Sequence, residues 1–260
     1  MSLVATELAV AGRLLPTTAS FAPGELVAVV GENGAGKSTL LDALAGVLVP
    51  AAGAVTLDGA AILQLSPRER ARRIASLGQH PPQCDELSVE ERIAQGLAPR
   101  RGTALLDEPT RARARAVAEE RGLGQHLGTL LGALSGGFRR RAHVARALVD
   151  AEAKVVIVDE PHAGVDVAQQ GLVSRALWRR ARDGQLVIFS VHDLAVALQC
   201  ADRIVGLRQG AVVLDGHAQS TLTPDAIERL YGVRGARVVV EGDLVGVLLP
   251  RDPSSVSPRL

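Results

Sequence analysis

The sequence predicts an α/β fold, with a parallel sheet at its centre, an antiparallel β-layer leaning on it and an inserted helical subdomain. Three observations predict it. Continuous apolar runs at Leu26 to Val30, Val155 to Val158 and Leu186 to Phe189 have the length and unbroken character of strands buried on both faces. Shorter β-like segments bounded by turn residues lie at Leu3 to Val10, at Ala54 to Leu57 before Asp58-Gly59, and at Arg203 to Leu207 and Ala211 to Leu214 around Gln209-Gly210. These are assigned to the antiparallel layer. Between His80 and Leu134 the buried-strand runs stop, and alanine-, arginine- and leucine-rich helical sequence replaces them.

The first apolar run opens into Gly31-Glu32-Asn33-Gly34-Ala35-Gly36-Lys37-Ser38-Thr39, a complete G-x-x-x-x-G-K-[ST] phosphate loop, and Ser38 to Gly46 leaves it as a helix. The core is therefore that of a P-loop NTPase. Glycines let successive backbone N–H groups turn onto phosphate oxygens, Lys37 reaches the β- and γ-phosphates, and the Ser38 hydroxyl can ligate Mg²⁺. Lysine occurs at Lys37 and Lys154 and nowhere else, every other basic position being arginine. A compact ammonium at Lys37 does what a rigid guanidinium fork would not. The segment Ile74 to Leu77 ends at Gln79, the Val155 run delivers Asp159-Glu160, and the Leu186 run delivers Ser190-Val191-His192. Ligands of open α/β sheets sit outside the carboxyl ends of the strands, so these groups should converge on one crevice. Beyond Pro224 the pattern predicts a short helix through Leu230, then a hairpin from Arg237 to Val240 and Leu244 to Leu249 around Glu241-Gly242-Asp243, then a frayed tail from Pro250 to Leu260. The predicted division is one domain over 1–260, with a helical subdomain at 81–150 and a C-terminal helix, hairpin and tail at 225–260.

The 260 residues, 47% hydrophobic, suffice for one α/β domain with a subdomain. A formal charge of +1 gives no electrostatic reason for a nucleic-acid partner. The arginine clusters at Arg68, Arg70, Arg72 and Arg73, at Arg111, Arg113 and Arg115, and at Arg139, Arg140 and Arg141 read as solvated helix faces. Cys84 and Cys200 have no metal-ligand spacing and are too few for a disulfide scaffold, which fits a reducing cytosol. No apolar run nears the roughly 18 residues that span a bilayer, and the N-terminus is no signal peptide, so any membrane role is peripheral.

Val155 to Glu160 is a Walker B segment: the strand delivers Asp159 toward Mg²⁺, and Glu160 directly after it is placed to orient and deprotonate water in line with the γ-phosphate. Leu134-Ser135-Gly136-Gly137 precedes a helix-like run from Phe138 to Val149, with Ser135 as N-cap and two glycines exposing N–H groups, a second anion-binding helix terminus. With the phosphate loop, Gln79, Asp159-Glu160, Asp166 and His192 in this order, the chain closely resembles an ABC-transporter ATP-binding subunit over nearly its whole length.

The resemblance implies roles position by position. Gly31 to Thr39 matches Walker A, Gln79 the Q-loop glutamine near Mg²⁺, Leu134 to Gly137 the signature, Asp159 the Walker B aspartate and Glu160 the general base. Asp166, in Ala163-Gly164-Val165-Asp166, matches the D-loop aspartate, and His192 the switch histidine on the γ-phosphate. It further implies ATP and Mg²⁺, and a head-to-tail homodimer in which ATP lies between one copy's Walker A and the other's signature. His162, beside Pro161, reads as a loop residue. Two departures stand out. No aromatic lies between Met1 and Ser20 to stack on adenine, so Arg13 or Leu14 is left to cover the base, through a guanidinium face or apolar contact, with weak base discrimination expected. Phe138 replaces the glutamine usual after the signature, which removes a side-chain hydrogen bond at the dimer seam and leaves the backbone donors.

Without a membrane-spanning segment, transport requires separate permease subunits gripping the helical subdomain near Gln79 to Ala98, at the cytoplasmic face of the membrane, with a substrate-binding protein acting indirectly. Leu87-Ser88-Val89-Glu90-Glu91, Gly96, Pro99, Leu222-Thr223-Pro224 and Tyr231-Gly232 resemble importers of the iron-siderophore, haem and cobalamin group. Alternatives are a soluble ABC ATPase in DNA maintenance or translation, an ABC exporter ATPase, and a degenerate cassette that binds nucleotide without turnover. The first usually needs a coiled-coil insertion or second cassette, and Glu160 and His192 argue against the last.

Overall fold

The computed structural model describes residues 2–102, 107–240 and 242–248. The tail and Leu249, Glu241 of the C-terminal turn and 103–106 lie outside these. A hairpin of β1 (Leu3–Val10) and β2 (Leu14–Phe21) precedes β3 (Leu26–Val30), the phosphate loop and α1 (Lys37–Leu44). Next come β4 (Ala52–Leu57), β5 (Ala60–Ala61), α2 (Pro67–Arg73) and β6 (Ile74–Leu77). Four helices follow: α3 (Val89–Ala94), α4 (Ala98–Arg101), α5 (Glu108–Glu119) and α6 (Gly136–Leu148). The chain then alternates through β7 (Val155–Val158), α7 (Val167–Arg182), β8 (Leu186–Ser190), α8 (Leu194–Cys200) and β9 (Arg203–Arg208). It ends in β10 (Ala211–His217), α9 (Ala218–Thr221), α10 (Pro224–Tyr231) and a hairpin of β11 (Ala236–Val240) and β12 (Asp243–Leu248).

The central sheet has six strands in the order β10-β9-β3-β8-β7-β6. From β9 to β6 all neighbours are parallel, and the residues of β3, β7 and β8 are buried throughout. Alternate residues of these strands serve two cores, as a period of two requires. Ala28, Val156 and Phe189 face α6, α7 and α8, and Val27, Ile157 and Ile188 face α1 and the second sheet. That second sheet, ordered β2-β1-β4-β5, is antiparallel and contributes Leu3, Leu8, Phe21 and Leu57.

Two strands depart from the expectation. The segment from Arg203, assigned to the antiparallel layer, is instead a parallel neighbour of β3 inside the central sheet, with Ile204, Val205 and Leu207 buried. It enters by the α8 crossover, which returns the chain in the same direction, and β10 then folds back antiparallel across Gln209-Gly210. The sequence also gave no strand signal for β2, because Pro16 interrupts it. The proline is tolerated because β2 ends its sheet, where an N–H need not join a ladder.

Helices α3, α5 and α6 bury a separate apolar cluster that includes Val89, Ile93, Val117, Leu123 and Ala145. Capping is explicit here: the Ser88 hydroxyl accepts from the Glu91 N–H while Glu91 reaches back to Ser88, and Asp107 accepts from Thr110 N–H at 2.9 Å. Among the described residues, no helix is long and apolar enough to cross a membrane.

Candidate nucleotide site

The phosphate loop leaves β3 through Gly31, at φ 145°, where an added Cβ would come within 2.2 Å of the Leu207 carbonyl oxygen. Gly36, at φ 103°, would collide with the Arg13 carbonyl oxygen at 2.7 Å. Both positions therefore require glycine, and β9 and the β1–β2 turn are what press on the loop. Lys37 is buried at the start of α1. Its ammonium donates to the carbonyl oxygens of Gly31 (2.8 Å) and Glu32 (2.9 Å) and lies 3.5 Å from His192 Nδ1. Burial holds its pKa below the usual lysine value, against the opposing pull of Glu160 and Asp159.

The ends of β6, β7 and β8 do converge. Glu160 Oε1 accepts from Gln79 Nε2 at 3.2 Å and lies 2.6 Å from His192 Nε2. Glu160 itself has φ 47°, a left-handed backbone rare for this residue type. Two groups to which the sequence reading gave no such role hold it there. The Ser190 hydroxyl, fully buried at the end of β8, donates to Asp159 Oδ1 and accepts the Glu160 N–H at 2.8 Å. The Arg140 guanidinium, from α6, donates to the carbonyls of Glu160 (2.9 Å), Gln79 (3.3 Å) and Asp159. The sequence placed Ser190 at this crevice by its strand end, without a role, whereas nothing in the spacing marks Arg140.

Arg140 overturns the solvated-face reading of Arg139 to Arg141. Its charge is spent on strand-end carbonyls, and Arg141 is buried with its guanidinium 4.3 Å above the Phe138 ring and a 2.9 Å bond to the Arg121 carbonyl. Arg111 and Arg115 keep to the surface, paired with Glu90 at 3.1 and 2.7 Å.

A cavity of about 560 Å³ lies over these groups, lined by Asn33, Gly34, Gly36, Lys37, Ser38 and Thr39 of the loop, and by Arg13, Gln79, Glu160 and His192. Ala35 and Asp159 are buried, the latter at 3% exposure, and Glu32 is exposed; none of the three lines the cavity. Leu14 cannot cover a base, because it turns into the core at 3% exposure; Arg13 alone of the two residues lines the cavity.

Ser135, Gly136 and Gly137 do not line it. Ser135 stands at the N-cap of α6, but its hydroxyl makes no capping hydrogen bond, so the helix's first N–H groups stay open to an anion. Phe138 packs edge-on to His126 at 4.5 Å, into the helical core. Asp166 caps α7 by accepting from the Gln169 N–H at 2.9 Å. His162, read as a loop residue, does lie in the turn between β7 and α7, yet it is buried at 7% exposure, with its ring packed edge-on against Phe189.

The donors fit Mg²⁺. Ser38, Gln79 and Asp159 offer hydroxyl, amide and carboxylate oxygens, and among the described residues no cluster of three His, Cys, Asp or Glu competes as a dedicated metal cage. Magnesium bound through one carboxylate and substrate phosphates needs no such cage.

The comparisons with known proteins agree with this geometry. A family profile described as ABC transporter matches residues 14–163. The chain is 42% identical over 212 residues to the hemin import ATP-binding protein of Nocardia farcinica, covering 81% of this chain and 72% of that protein. It is 39% identical over 208 residues to the hemin import ATP-binding protein of Streptomyces coelicolor, covering 80% and 74%. Among solved structures, an ATP-binding subunit of an ABC transporter superposes with a TM-score of 0.75 at 27% identity, over 91% of this chain and 95% of that one. The fold of a metal-chelate type ABC transporter in an inward-facing conformation matches with a TM-score of 0.80 at 21% identity, over 97% and 99%. A glycine-gated phosphate loop, a carboxylate pair at one strand end and a histidine at the next, matched to these relatives, place the chain in the ABC transporter family as an ATP-binding and ATP-hydrolysing subunit.

Proposed function

We propose that the chain powers import of a metal chelate of the iron-siderophore, haem or cobalamin type, with haem the favoured substrate, through separate membrane subunits. The observation carrying this reading is the 42% identity to a hemin import ATP-binding protein over 81% of the chain. Two copies pair head to tail at the cytoplasmic face of the membrane. Each ATP lies between the Gly31 to Thr39 loop of one copy and Ser135 to Gly137 of the other. This explains why an open helix N-terminus at Ser135 stands apart from the cavity of its own chain.

Lys37 exchanges its two carbonyl bonds for oxygens of the β- and γ-phosphates. Ser38, Gln79 and Asp159 hold Mg²⁺, which when bound neutralises charge on those phosphates. Glu160 takes a proton from the attacking water, and His192, 2.6 Å from the same carboxylate, donates toward charge developing on the γ-phosphoryl oxygens. Asp166 belongs to the seam between copies. Closure on ATP and reopening after hydrolysis drive the permease, and a substrate-binding protein delivers the cargo from the other side.

The test is transport. The chain, co-purified with its membrane subunits and reconstituted in proteoliposomes, should take up haem with ATP inside, in preference to a ferric siderophore or cobalamin. Preferred uptake of either of those would reassign the cargo, and absence of any co-purifying permease, with hydrolysis stimulated by nucleic acid, would favour a soluble ATPase.

A further inference from the structure

A second cavity, of about 150 Å³, lies behind the catalytic edge. Glu160 and His192 line both cavities, so their 2.6 Å contact forms the partition between them. The rear cavity also takes in His162, Ser190 and Asp193, with Val191 and Val196 as apolar wall. Its size admits several waters, since roughly 15 Å³ of such space holds one.

His162 is the unusual member. It is 93% buried by its 7% exposure, and its Nε2 lies 2.9 Å from the Ser174 hydroxyl of α7. Its Nδ1 is buried with no hydrogen-bond partner among the described protein groups. Such an atom costs about 1–3 kcal/mol unless something satisfies it. On Glu160, Oε1 is engaged by Gln79 and His192, while Oε2 makes no hydrogen bond to a described protein group. Both residues line that same small space.

We propose that His162 is a positioning residue for hydrolysis, its Nδ1 anchoring water in the rear cavity that hydrogen-bonds the Glu160 carboxylate and fixes its aim from behind. The inference rests on reading Glu160 as the general base. Gln79 and His192 hold one carboxylate oxygen from the nucleotide side, and the His162 water holds the other from the protein side. A carboxylate pinned at both oxygens cannot rotate away from the attacking water, and misorientation at this point costs rate rather than affinity. Because Ser174 fixes the ring through Nε2, the two nitrogens divide the work: Nε2 locates the histidine, which leaves the unpartnered Nδ1 for the water.

Asparagine and glutamine separate these jobs, since an asparagine amide reaches about as far as Nδ1 and a glutamine amide about as far as Nε2. The full-length chain should be assayed by single-turnover ATP hydrolysis, with nucleotide affinity and thermal midpoint measured on the same samples. His162→Gln, which keeps the Ser174 bond, should slow hydrolysis about tenfold with ATP affinity within twofold of the parent. His162→Asn should recover to within about threefold. The reverse order, with glutamine active and asparagine impaired, would make the histidine a structural tether to α7 and overturn the proposal. So would parental rates in both variants. Glu160→Gln run alongside separates the two failures: if it leaves turnover unchanged, the reading of the base fails; if it abolishes turnover while His162→Gln does not slow it, the positioning role alone fails.

Discussion

Glu160 combines a left-handed backbone with a carboxylate bonded on one side to Gln79 and His192. A residue in that conformation is held by its surroundings, here the Ser190 hydroxyl on its N–H and Arg140 on its carbonyl. Glu160→Gln keeps the shape and removes the base, so ATP binding should persist while hydrolysis falls by about 10²–10⁴; equilibrium binding alongside single-turnover hydrolysis checks both halves. Arg13 is the other residue with a specific consequence. A guanidinium face over a base discriminates poorly between purines, so GTP and ATP should be hydrolysed with kcat/KM values within about threefold. A strong preference for ATP would show that something other than Arg13 reads the base. The Walker A and Walker B residues were legible in the sequence because their chemistry demands fixed residue types at fixed spacing. The roles of Arg140 and Ser190 were not, because their partners, strand-end carbonyls for Arg140 and the Glu160 N–H and Asp159 carboxylate for Ser190, are brought near by folding and leave no spacing to read.

At the scale of elements, α6 does two things at once. Its first turn offers open N–H groups at Ser135 to Gly137, and three residues farther along Arg140 reaches back to tie β6 and β7 together at their ends. The helical subdomain is thereby linked to the carboxylate edge of its own chain by the Arg140 side chain. Arg140→Leu should lower unfolding stability by about 3 kcal/mol, because the carbonyls it serves lose a charged donor. Chemical denaturation measures that loss, and a change under 1 kcal/mol would show that the carbonyls find other partners. The strands were readable where they are long and wholly apolar. The misplaced β9 shows the limit: a short run ending in arginine looks alike in an outer layer or a central sheet, and only the crossover through α8 decides its direction. The missed β2 shows another, since proline hides an edge strand from propensity.

For the whole molecule, two buried histidines set the acid limit. Burial pushes His162 down to about 4, and burial with nearby arginines, Arg92 foremost, does the same to His143, against an ordinary value of 6.5. A folded-state pKa below the unfolded one means that the unfolded chain takes up protons first as pH falls. Stability from these groups is therefore complete above about 6.5 and is lost progressively toward 4, by on the order of 3 kcal/mol for each histidine. Unfolding free energy should fall between pH 7 and pH 5, before most carboxylates protonate, and more gently in His162→Asn. A flat profile across that window would show that the two rings remain solvated enough to charge in the folded state.

The separation of Ser135 to Gly137 from the cavity of their own chain also has a kinetic meaning. In the proposed assembly neither copy holds a whole site, so hydrolysis by the free chain obeys a second-order rate law and specific activity climbs with protein concentration until pairing saturates. Two copies tethered to one permease escape that dilution, because tethering supplies an effective concentration on the order of millimolar. The isolated subunit is then nearly idle where it is scarce, and fuel consumption is confined to copies already mounted on a transporter.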